Sequence, residues 1–554
     1  MTDASGTTTY GYDDHDRLAT KATPQGTLSY TYDPAGNVAT MQSSNANGVS
    51  VAYTYDSLNR LATVVDNRLP AGANTTTYSY DPASNLATVT YPNGLQSTFT
   101  YDDLNRVTAL NNGKASYTYT LGPTGSRQSA TESSGRTLNW SYDGIYRLTN
   151  ETITLDPMSK NGTVAYGLDP VGNRLSQTSS IPGIPTASFL YDFDDRIQPP
   201  TESYDPNGNT LVSGSRTFAY DFENRLKSMN GGAVTLVYDG DGNRVAKTAG
   251  GVTTRYLVDD LNPTGYAQVV EEIGAGGVQR TYTYGLRRIN QNQLANSTWT
   301  PSFYGYDALG SVRQLTSSTG AVTDTYDFDA WGNAVNTTGS TPNVYLYQGE
   351  QYDPDLNLYY LRARYFNPLT GRFLTRDAYD GNLKDTASLH KYLYAGADPV
   401  NHSDPTGNEG IGIAATRPCG GDMGEYAMLS ATVAIGVGAG VFTMAATQAC
   451  MLTYYMSMVG FDLPDVGRLN ICKACDPPVG TECTEYDINR KDTNRRGDHK
   501  GWDVHYHLWK RGMKPDRTCT WDRINDKSRE YPHPGLLSCY MYSSWILWKF
   551  SHPK

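Results

Sequence analysis

One short phrase recurs along the first 340 residues of this 554-residue chain. Each copy contains an aromatic or small pair, then Tyr-Asp and a short turn. The turn is followed by Asn-Arg-Leu/Val or Asn-Leu/Val, except in the first copy, which has Asp-Arg-Leu. Successive Asp residues of the first five copies are separated by 20, 23, 25 and 21 residues, a spacing typical of hairpin-sized repeats. The copies read YGYDDHDRLAT from Tyr10, YTYDPAGNVAT from Tyr30, YTYDSLNRLAT from Tyr53, YSYDPASNLAT from Tyr78, FTYDDLNRVTA from Phe99, FAYDFENRLKS from Phe218 and VYDGDGNRVAK from Val237.

The repeat predicts a strand, a turn and a second strand. Alternating residues before Asp56 point to opposite faces of a strand, Asp56 bonds nearby backbone amides in the turn, and Leu61 opens the next strand. Because one hairpin is marginal alone, neighbours must pair into a long antiparallel sheet. With 38% hydrophobic residues and 43 Tyr, we expect this sheet to curl into a spiral or closed wall. Two alternatives stay open: a container, or a filamentous solenoid with no interior function.

The amino-acid composition of the chain changes after residue 418. All seven cysteines, five of eight Trp and five of eight His lie beyond this point. From Arg490 to the end the net charge is +7, whereas residues 1–489 carry −18. The start of the chain is polar and no apolar run follows it, so we predict no signal peptide. Export would use another route or an N-terminal part that this chain lacks.

The repeat is similar to the YD repeat of Rhs proteins, teneurins and the C subunits of insecticidal toxin complexes, over roughly residues 8–345. The following segment, YYLRARYFNPLTGRFLTRD and then KYLYAGADPVNHSDPTG ending at Gly407, resembles the Rhs repeat-associated core. The resemblance implies a mainly β chain: a hollow spiral shell at 1–345, plugged by a core at 346–407. A variable C-terminal domain, usually a toxin held inside the shell, would follow. We expect a hydrophobic segment at 408–470, helical in part, and a small α+β domain at 471–554.

The resemblance also implies that the core is an aspartyl autoprotease. Residue by residue, its acidic pair corresponds to Asp377 and Asp404, and Arg364 would orient the charged partner. Two carboxylates held close together cannot both ionise, so one acts as acid and the other as base toward water. The three residues are 13 and 27 positions apart, so only the fold can assemble them.

Cleavage in that family follows an Asp-Pro-x-Gly signature, here Asp404, Pro405, Thr406 and Gly407. The same pattern is usually only a turn, and it occurs at three earlier points of the chain where no cleavage is expected. The position of this copy at the end of the core favours a cleavage site. The family commonly has Leu next, whereas this chain has Asn408, so cleavage itself is a point to test.

The segment Tyr426–Phe461 contains no charged residue. This length exceeds the roughly 20 apolar residues that span a bilayer, and the Gly436-x-x-x-Gly440 spacing would let two helices approach closely. The alternatives are one membrane helix, two short helices, or a hydrophobic linker packed inside the shell. Membrane contact through 426–461 is therefore one of the expectations that stay open.

The last domain contains a cluster of His and Asp residues that could form a catalytic or metal-binding site. On a strand, His505 and His507 would share one face, and they could bind a divalent metal or act as base and acid on a phosphate. Asp498, His499 and Asp503 lie close enough in sequence to complete such a site. Basic residues around it would attract a polyanion, which suggests a nuclease. The candidate phosphate-binding residues are Arg495, Arg496, Lys510 and Arg511.

The cysteines of this domain admit two uses. Cys472-x-x-Cys475 suggests a zinc knuckle, but no second pair with ligand spacing follows, so disulfides are the preferred expectation. For the whole chain, the prediction is a polymorphic toxin, secreted or delivered into a target cell by a secretion apparatus or upstream delivery module. It would be neutralised by a cognate immunity protein. The alternative is a YD-repeat surface adhesion protein without enzymatic activity.

Overall fold

The computed structural model describes residues 1–381, 386–408, 411–412, 483–487, 507–513 and 519–523. The chain divides into two units, Met1–Gly436 and Val437–Lys554. In the described ranges the regular structure is β-strand, with four short 3-10 helices, so the mainly β prediction is confirmed. None of the helices in these ranges is long and apolar enough to cross a bilayer. The predicted apolar segment at 426–461 lies outside the described residues.

Each repeat folds as a hairpin end whose Asp organises its own turn. Asp56 Oδ1 accepts the backbone N–H of Leu58 at 2.8 Å and of Arg60 at 3.0 Å. Its Oδ2 accepts Arg60 Nε–H at 2.8 Å. Asn59 takes a φ of 60°, a left-handed conformation that Asn tolerates well. The prediction that Asp starts the turn is therefore confirmed, and the repeated Asn-Arg has a local cause.

A tyrosine hydroxyl joins each repeat to the one before it. Tyr55 O–H donates to the carbonyl of Val38 at 3.0 Å, and Tyr80 O–H donates to the carbonyl of Leu61 at 2.8 Å. These bonds explain why the chain uses Tyr here rather than Phe. The same type of bond to a backbone carbonyl recurs at Tyr32, Tyr101, Tyr142, Tyr191, Tyr220, Tyr238, Tyr284 and Tyr306.

The first coil is an antiparallel meander, β3 to β19, in which each strand pairs with the next. A small hairpin, β1 Thr2–Asp3 and β2 Gly6–Thr7, precedes it. The coil strands are β3 Thr9–Tyr12, β4 Leu18–Thr23, β5 Gly26–Tyr32, β6 Val38–Ser43, β7 Ser50–Tyr55, β8 Leu61–Asp66, β9 Thr75–Tyr80, β10 Leu86–Thr90, β11 Gln96–Tyr101, β12 Val107–Asn111, β13 Ser116–Leu121, β14 Arg127–Glu132, β15 Thr137–Tyr142, β16 Leu148–Thr154, β17 Gly162–Leu168, β18 Arg174–Ser179 and β19 Ala187–Ser188.

The second coil is a 14-stranded antiparallel sheet of the same meander type. A 3-10 helix, Asn230–Gly232, joins its fourth and fifth strands. The strands are β20 Glu202–Tyr204, β21 Thr210–Ser213, β22 Arg216–Tyr220, β23 Leu226–Met229, β24 Val234–Tyr238, β25 Arg244–Ala249, β26 Val252–Asp259, β27 Gln268–Gly274, β28 Gly277–Tyr284, β29 Arg288–Ala295, β30 Thr298–Tyr306, β31 Val312–Thr316, β32 Val322–Phe328 and β33 Ala334–Thr338.

The second coil lies along the first, joined by side-chain hydrogen bonds and ion pairs near the strand ends. Lys21 pairs with Asp260, Asp66 accepts Thr283 Oγ1–H at 2.8 Å, and Glu151 accepts the N–H of Ala330 at 2.8 Å. The sequence separation of these partners falls from 239 through 217 to 179. The contacts thus follow the same order along both coils, with fewer residues between them in the second coil, as expected for a chain that winds as a spiral. The predicted spiral is confirmed.

The segment after the second coil packs against both coils. Arg244, in the second coil, pairs with Asp353 at 2.9 Å, and Arg127, in the first coil, donates to the carbonyl of Val400 at 2.7 Å. The proposed domain boundaries at 345/346 and 407/408 stay predictions. The elements are a 3-10 helix Tyr347–Gly349, β34 Gln351–Asp353, β35 Leu358–Leu361, β36 Arg364–Asn367, β37 Arg372–Phe373, 3-10 helices Thr386–Leu389 and Ala395–Ala397, β38 His402–Ser403 and β39 Ile411–Gly412.

The described part of the second unit is a three-stranded antiparallel sheet. Its strands are β40 Cys483–Asp487, β41 His507–Met513 and β42 Cys519–Arg523, with β41 in the centre. His507 is opposite Asp487 in the register, and Lys510 is opposite Asp522.

Candidate functional site

The site is built on a tight hairpin of the core. Strands β35 and β36 are joined by Arg362 and Ala363 alone, and Arg364 is the first residue of β36. The Arg364 side chain is 6% exposed, and its guanidinium carbon lies 3.7 Å from the centre of the Phe373 ring. Burial lowers the pKa of this guanidinium, while the nearby carboxylates oppose that shift. The aromatic face and the short turn fix the direction of the cation.

Both predicted acids converge on one nitrogen of this guanidinium. Arg364 Nη2 lies 2.7 Å from Asp377 Oδ2 and 3.6 Å from Asp404 Oδ2. Asp377 follows β37, and its backbone N–H donates to the carbonyl of Lys391 at 2.8 Å, which fixes its position. The structure therefore assembles three residues that the sequence separates widely.

Asp404 has two roles in the geometry. Its Oδ1 accepts the N–H of Gly407 at 2.8 Å and of Asn408 at 3.1 Å, as a turn-forming Asp does. Asp169, in an earlier Asp-Pro-x-Gly copy, makes the same turn bonds, with Gly172 at 2.8 Å. What distinguishes Asp404 is its second oxygen, which faces Arg364 in a side chain that is 2% exposed.

Burial raises the pKa of Asp404 above its ordinary value. The Arg364 cation and the turn hydrogen bonds act in the opposite direction, yet desolvation is the larger effect. A buried carboxyl with a raised pKa beside a second, Arg-paired carboxyl group is the arrangement that an acid–base pair requires.

The peptide bond between Gly407 and Asn408 is held on both sides. Arg364 Nε–H donates to the carbonyl oxygen of Gly407, and the N–H of Asn408 donates to Asp404 Oδ1 at 3.1 Å. Gly407 has a φ of +73°, and a Cβ there would lie 2.3 Å from the carbonyl oxygen of Leu361. Only glycine fits this approach to the hairpin.

An open cavity of about 840 Å³ borders the site. Asp377, Thr406 and Asn408 line it from the core, and turns of the second coil, including Asn209 and Asn243, line the other side. Water can therefore reach the Asp377 side of the peptide bond.

The structure describes only part of the second predicted site. His507, Lys510 and Arg511 lie on β41. The other predicted residues fall outside the described ranges, so the candidate nuclease site stays a prediction, as does its metal. They are Arg495, Arg496, Asp498, His499, Asp503 and His505.

Sequence reasoning missed two residues of the core site. Arg362 donates to Glu350 Oε2 at 3.0 Å and also to the carbonyl of Pro405, two residues before Gly407. Burial raises the pKa of Glu350, and Arg362 opposes that rise. The available signal was the Arg-Ala-Arg phrase, in which two arginines flank one residue of a hairpin turn.

Two family models match the chain. The teneurin YD-shell model matches residues 126–400, and the RHS repeat model matches residues 32–73 and 80–116. The tRNA nuclease WapA of Bacillus subtilis (strain 168) is 30% identical over 418 residues, which are 73% of this chain and 16% of that protein. The double-stranded DNA deaminase toxin A of Burkholderia cenocepacia (strain H111) is 24% identical over 480 residues, 73% of this chain and 32% of that protein.

A solved structure of the Photorhabdus luminescens Tc holotoxin pore shares the fold. It superposes with a TM-score of 0.59 at 15% identity and covers 75% of this chain and 23% of that one. The stacked coils of YD hairpins therefore define a YD-shell protein. The chain belongs to the Rhs and teneurin family of YD-repeat proteins. It spans about a sixth of the length of WapA.

Proposed function

We propose that this chain is the shell and payload part of an Rhs-type toxin whose core cuts the polypeptide between Gly407 and Asn408. The observation that carries the proposal is that Arg364, which donates to the Gly407 carbonyl, also holds both Asp377 and Asp404. The bond lies just before the composition of the chain changes. The cut would free the C-terminal domain for action in a target cell.

The geometry supports an aspartyl mechanism. Asp377, paired with Arg364, takes a proton from a water molecule of the adjoining cavity, and the hydroxide adds to the Gly407 carbonyl carbon. Arg364 Nε–H stabilises the negative charge that develops on the carbonyl oxygen. Protonated Asp404 then gives its proton to the Asn408 nitrogen as the C–N bond breaks. The products are a Gly407 carboxylic acid, which passes its proton to the Asp404 carboxylate, and a new Asn408 amino terminus. Asp377 then releases the proton that it took to solvent.

We propose that the released domain acts on nucleic acid. The net charge of +7 over residues 490–554 and the His505–His507 pair suit phosphodiester cleavage. One long relative is named as a tRNA nuclease and another as a DNA deaminase toxin, which favours a toxin over the adhesion alternative. A delivery module, an immunity protein and membrane contact through 426–461 belong to the same proposal.

Intact-mass analysis and N-terminal sequencing of the purified full chain test the cut. We expect a product beginning at Asn408 in the wild type and a single uncut chain in Asp377→Asn. Asp169→Asn is the matched control, because the Oδ2 of this Asp-Pro-x-Gly turn accepts the Asn173 amide where Asp404 Oδ2 faces an arginine, and it should cut normally. An uncut wild-type chain would refute the autoprotease.

Expression of the full chain in the bacterial cytosol tests the payload. We expect growth arrest with degraded tRNA or DNA, and normal growth for the double variant His505→Ala/His507→Ala at equal protein level. Intact nucleic acid in arrested cells would reject nuclease chemistry.

A further inference from the structure

Three successive residues of the β35–β36 hairpin bind three successive carbonyl groups of the candidate cleavage segment. Arg362 Nη1–H donates to Pro405, the backbone N–H of Ala363 donates to Thr406 at 3.1 Å, and Arg364 Nε–H donates to Gly407. The two segments thus run past one another in one fixed register. Sliding the cleavage segment by one residue would break all three bonds.

Arg362 is anchored independently of the cleavage segment. Its Nε–H donates to the carbonyl of Ala267 in the second coil at 3.0 Å, and its Nη1 lies 3.0 Å from Glu350 Oε2. Its guanidinium carbon lies 5.2 Å from the centre of the Tyr266 ring. The side chain is only 16% exposed. A long side chain held at several points loses little further freedom when it binds one more acceptor.

We propose that Arg362 is a positioning residue that sets which peptide bond reaches the acidic pair. The inference rests on the proposed autoproteolysis and adds to it the determinant of the cleavage register. Arg362 touches neither the carbonyl that is attacked nor the nitrogen that leaves. It acts by holding Pro405, two residues before the cut, so that Gly407 lies under Arg364.

The guanidinium shape matters as well as the charge. Arg362 binds carbonyl oxygens on two segments and a carboxylate through a planar set of donors. A lysine ammonium is a single point of donors and cannot bridge the same three acceptors in one geometry. Arg362→Lys should therefore retain the charge beside Glu350 but lose much of the positioning.

The test compares cleavage by full-length Arg362→Ala and Arg362→Lys with the wild type. Rates come from intact mass over time, and the cut is located by N-terminal sequencing. For Arg362→Ala we expect cleavage slowed roughly tenfold to a hundredfold, with new termini at bonds beside Gly407–Asn408. Arg362→Lys should fall between Arg362→Ala and the wild type. A redistribution of the cut is a result that simple destabilisation would not give.

Arg216→Ala is the matched control. Arg216 links the second coil and the core as Arg362 does, through a bond to the carbonyl of Leu356 at 2.7 Å. Its contacts among the described residues lie away from residues 405–407. It should cut at the wild-type bond and rate. Cleavage by Arg362→Ala at the same bond and rate as the wild type would overturn the inference.

A second measurement separates the two proposals. In the Asp377→Asn background, amide hydrogen exchange at Ala363 and Asn408 should be faster when Arg362 is replaced by Ala. If the wild type does not cut, the autoprotease fails, while this exchange result still decides whether Arg362 holds the segment. Unchanged exchange would reject the positioning role.

Discussion

Replacing Gly407 by alanine places a methyl group where the core hairpin leaves no room. The added Cβ would lie 2.3 Å from the carbonyl oxygen of Leu361 and 2.9 Å from the backbone nitrogen of Arg364. Both obstacles are backbone atoms, so no side chain can rotate away. The φ of +73° adds a conformational cost of about 1–2 kcal/mol for an L-residue.

The size of this steric overlap allows the loss of cleavage rate in Gly407→Ala to be worked out. Reaching an ordinary contact distance requires the loop to move by roughly 1 Å. A displacement of about 1 Å at a reacting centre costs about 100-fold in rate, or about 2.7 kcal/mol of activation free energy. We therefore expect Gly407→Ala to cleave about 100-fold more slowly than the wild type, provided that the chain remains folded.

The assay follows the fraction of cut chain by intact mass over time. Gly396→Ala is the matched control, because Gly396 also lies in the core with a φ of +62° but has no atom within 4 Å of an added Cβ. It should lose a similar conformational free energy and keep its cleavage rate within a few-fold. Equal rates for Gly407→Ala and the wild type would refute the argument that this close approach positions the bond.

Two further predictions concern the shell. Tyr80→Phe removes the hydrogen bond from the hydroxyl to the Leu61 carbonyl and should lower the free energy of unfolding by about 1 kcal/mol in urea titrations. The control Tyr12→Phe, at an exposed tyrosine, should change this free energy little. Equal losses in the two variants would contradict the role of Tyr80 in linking repeats. Burial raises the pKa of Asp259, which accepts Tyr30 O–H, to about 6. The folded chain thus holds a proton that the unfolded chain loses, and stability falls as pH rises from about 4 to about 6. Urea midpoints at about pH 4.5 and 7 should differ less in Asp259→Asn than in the wild type, whereas an unaltered difference would count against this assignment.

The repeat unit was predictable because its determinants are local. Asp56 bonds the amides of residues two and four positions later, so the phrase itself encodes the turn. The sequence predicted that the sheet curls, but it did not predict which strands of the two coils lie against each other. Asp66 and Thr283 are 217 residues apart, and nothing near either one indicates its partner.

The candidate site was predictable through resemblance and not through spacing. The residues Arg364, Asp377 and Asp404 carry no periodic signal, and their convergence depends on how β36, β37 and β38 pack. Arg362 was missed because its partners, Pro405 and Ala267, are backbone carbonyls, which a side-chain motif does not reveal.

The contacts between the two coils constrain how this shell can change in evolution. Arrays whose repeats contact only their neighbours gain or lose units readily. Here a hairpin of the first coil also contacts a specific residue of the second coil, from 239 positions away at Lys21 to 179 at Glu151. Duplicating one hairpin would displace every later contact along the seam. We therefore expect loops to vary in length. The number of hairpins in each coil should stay fixed, because each coil must match the contacts of the other.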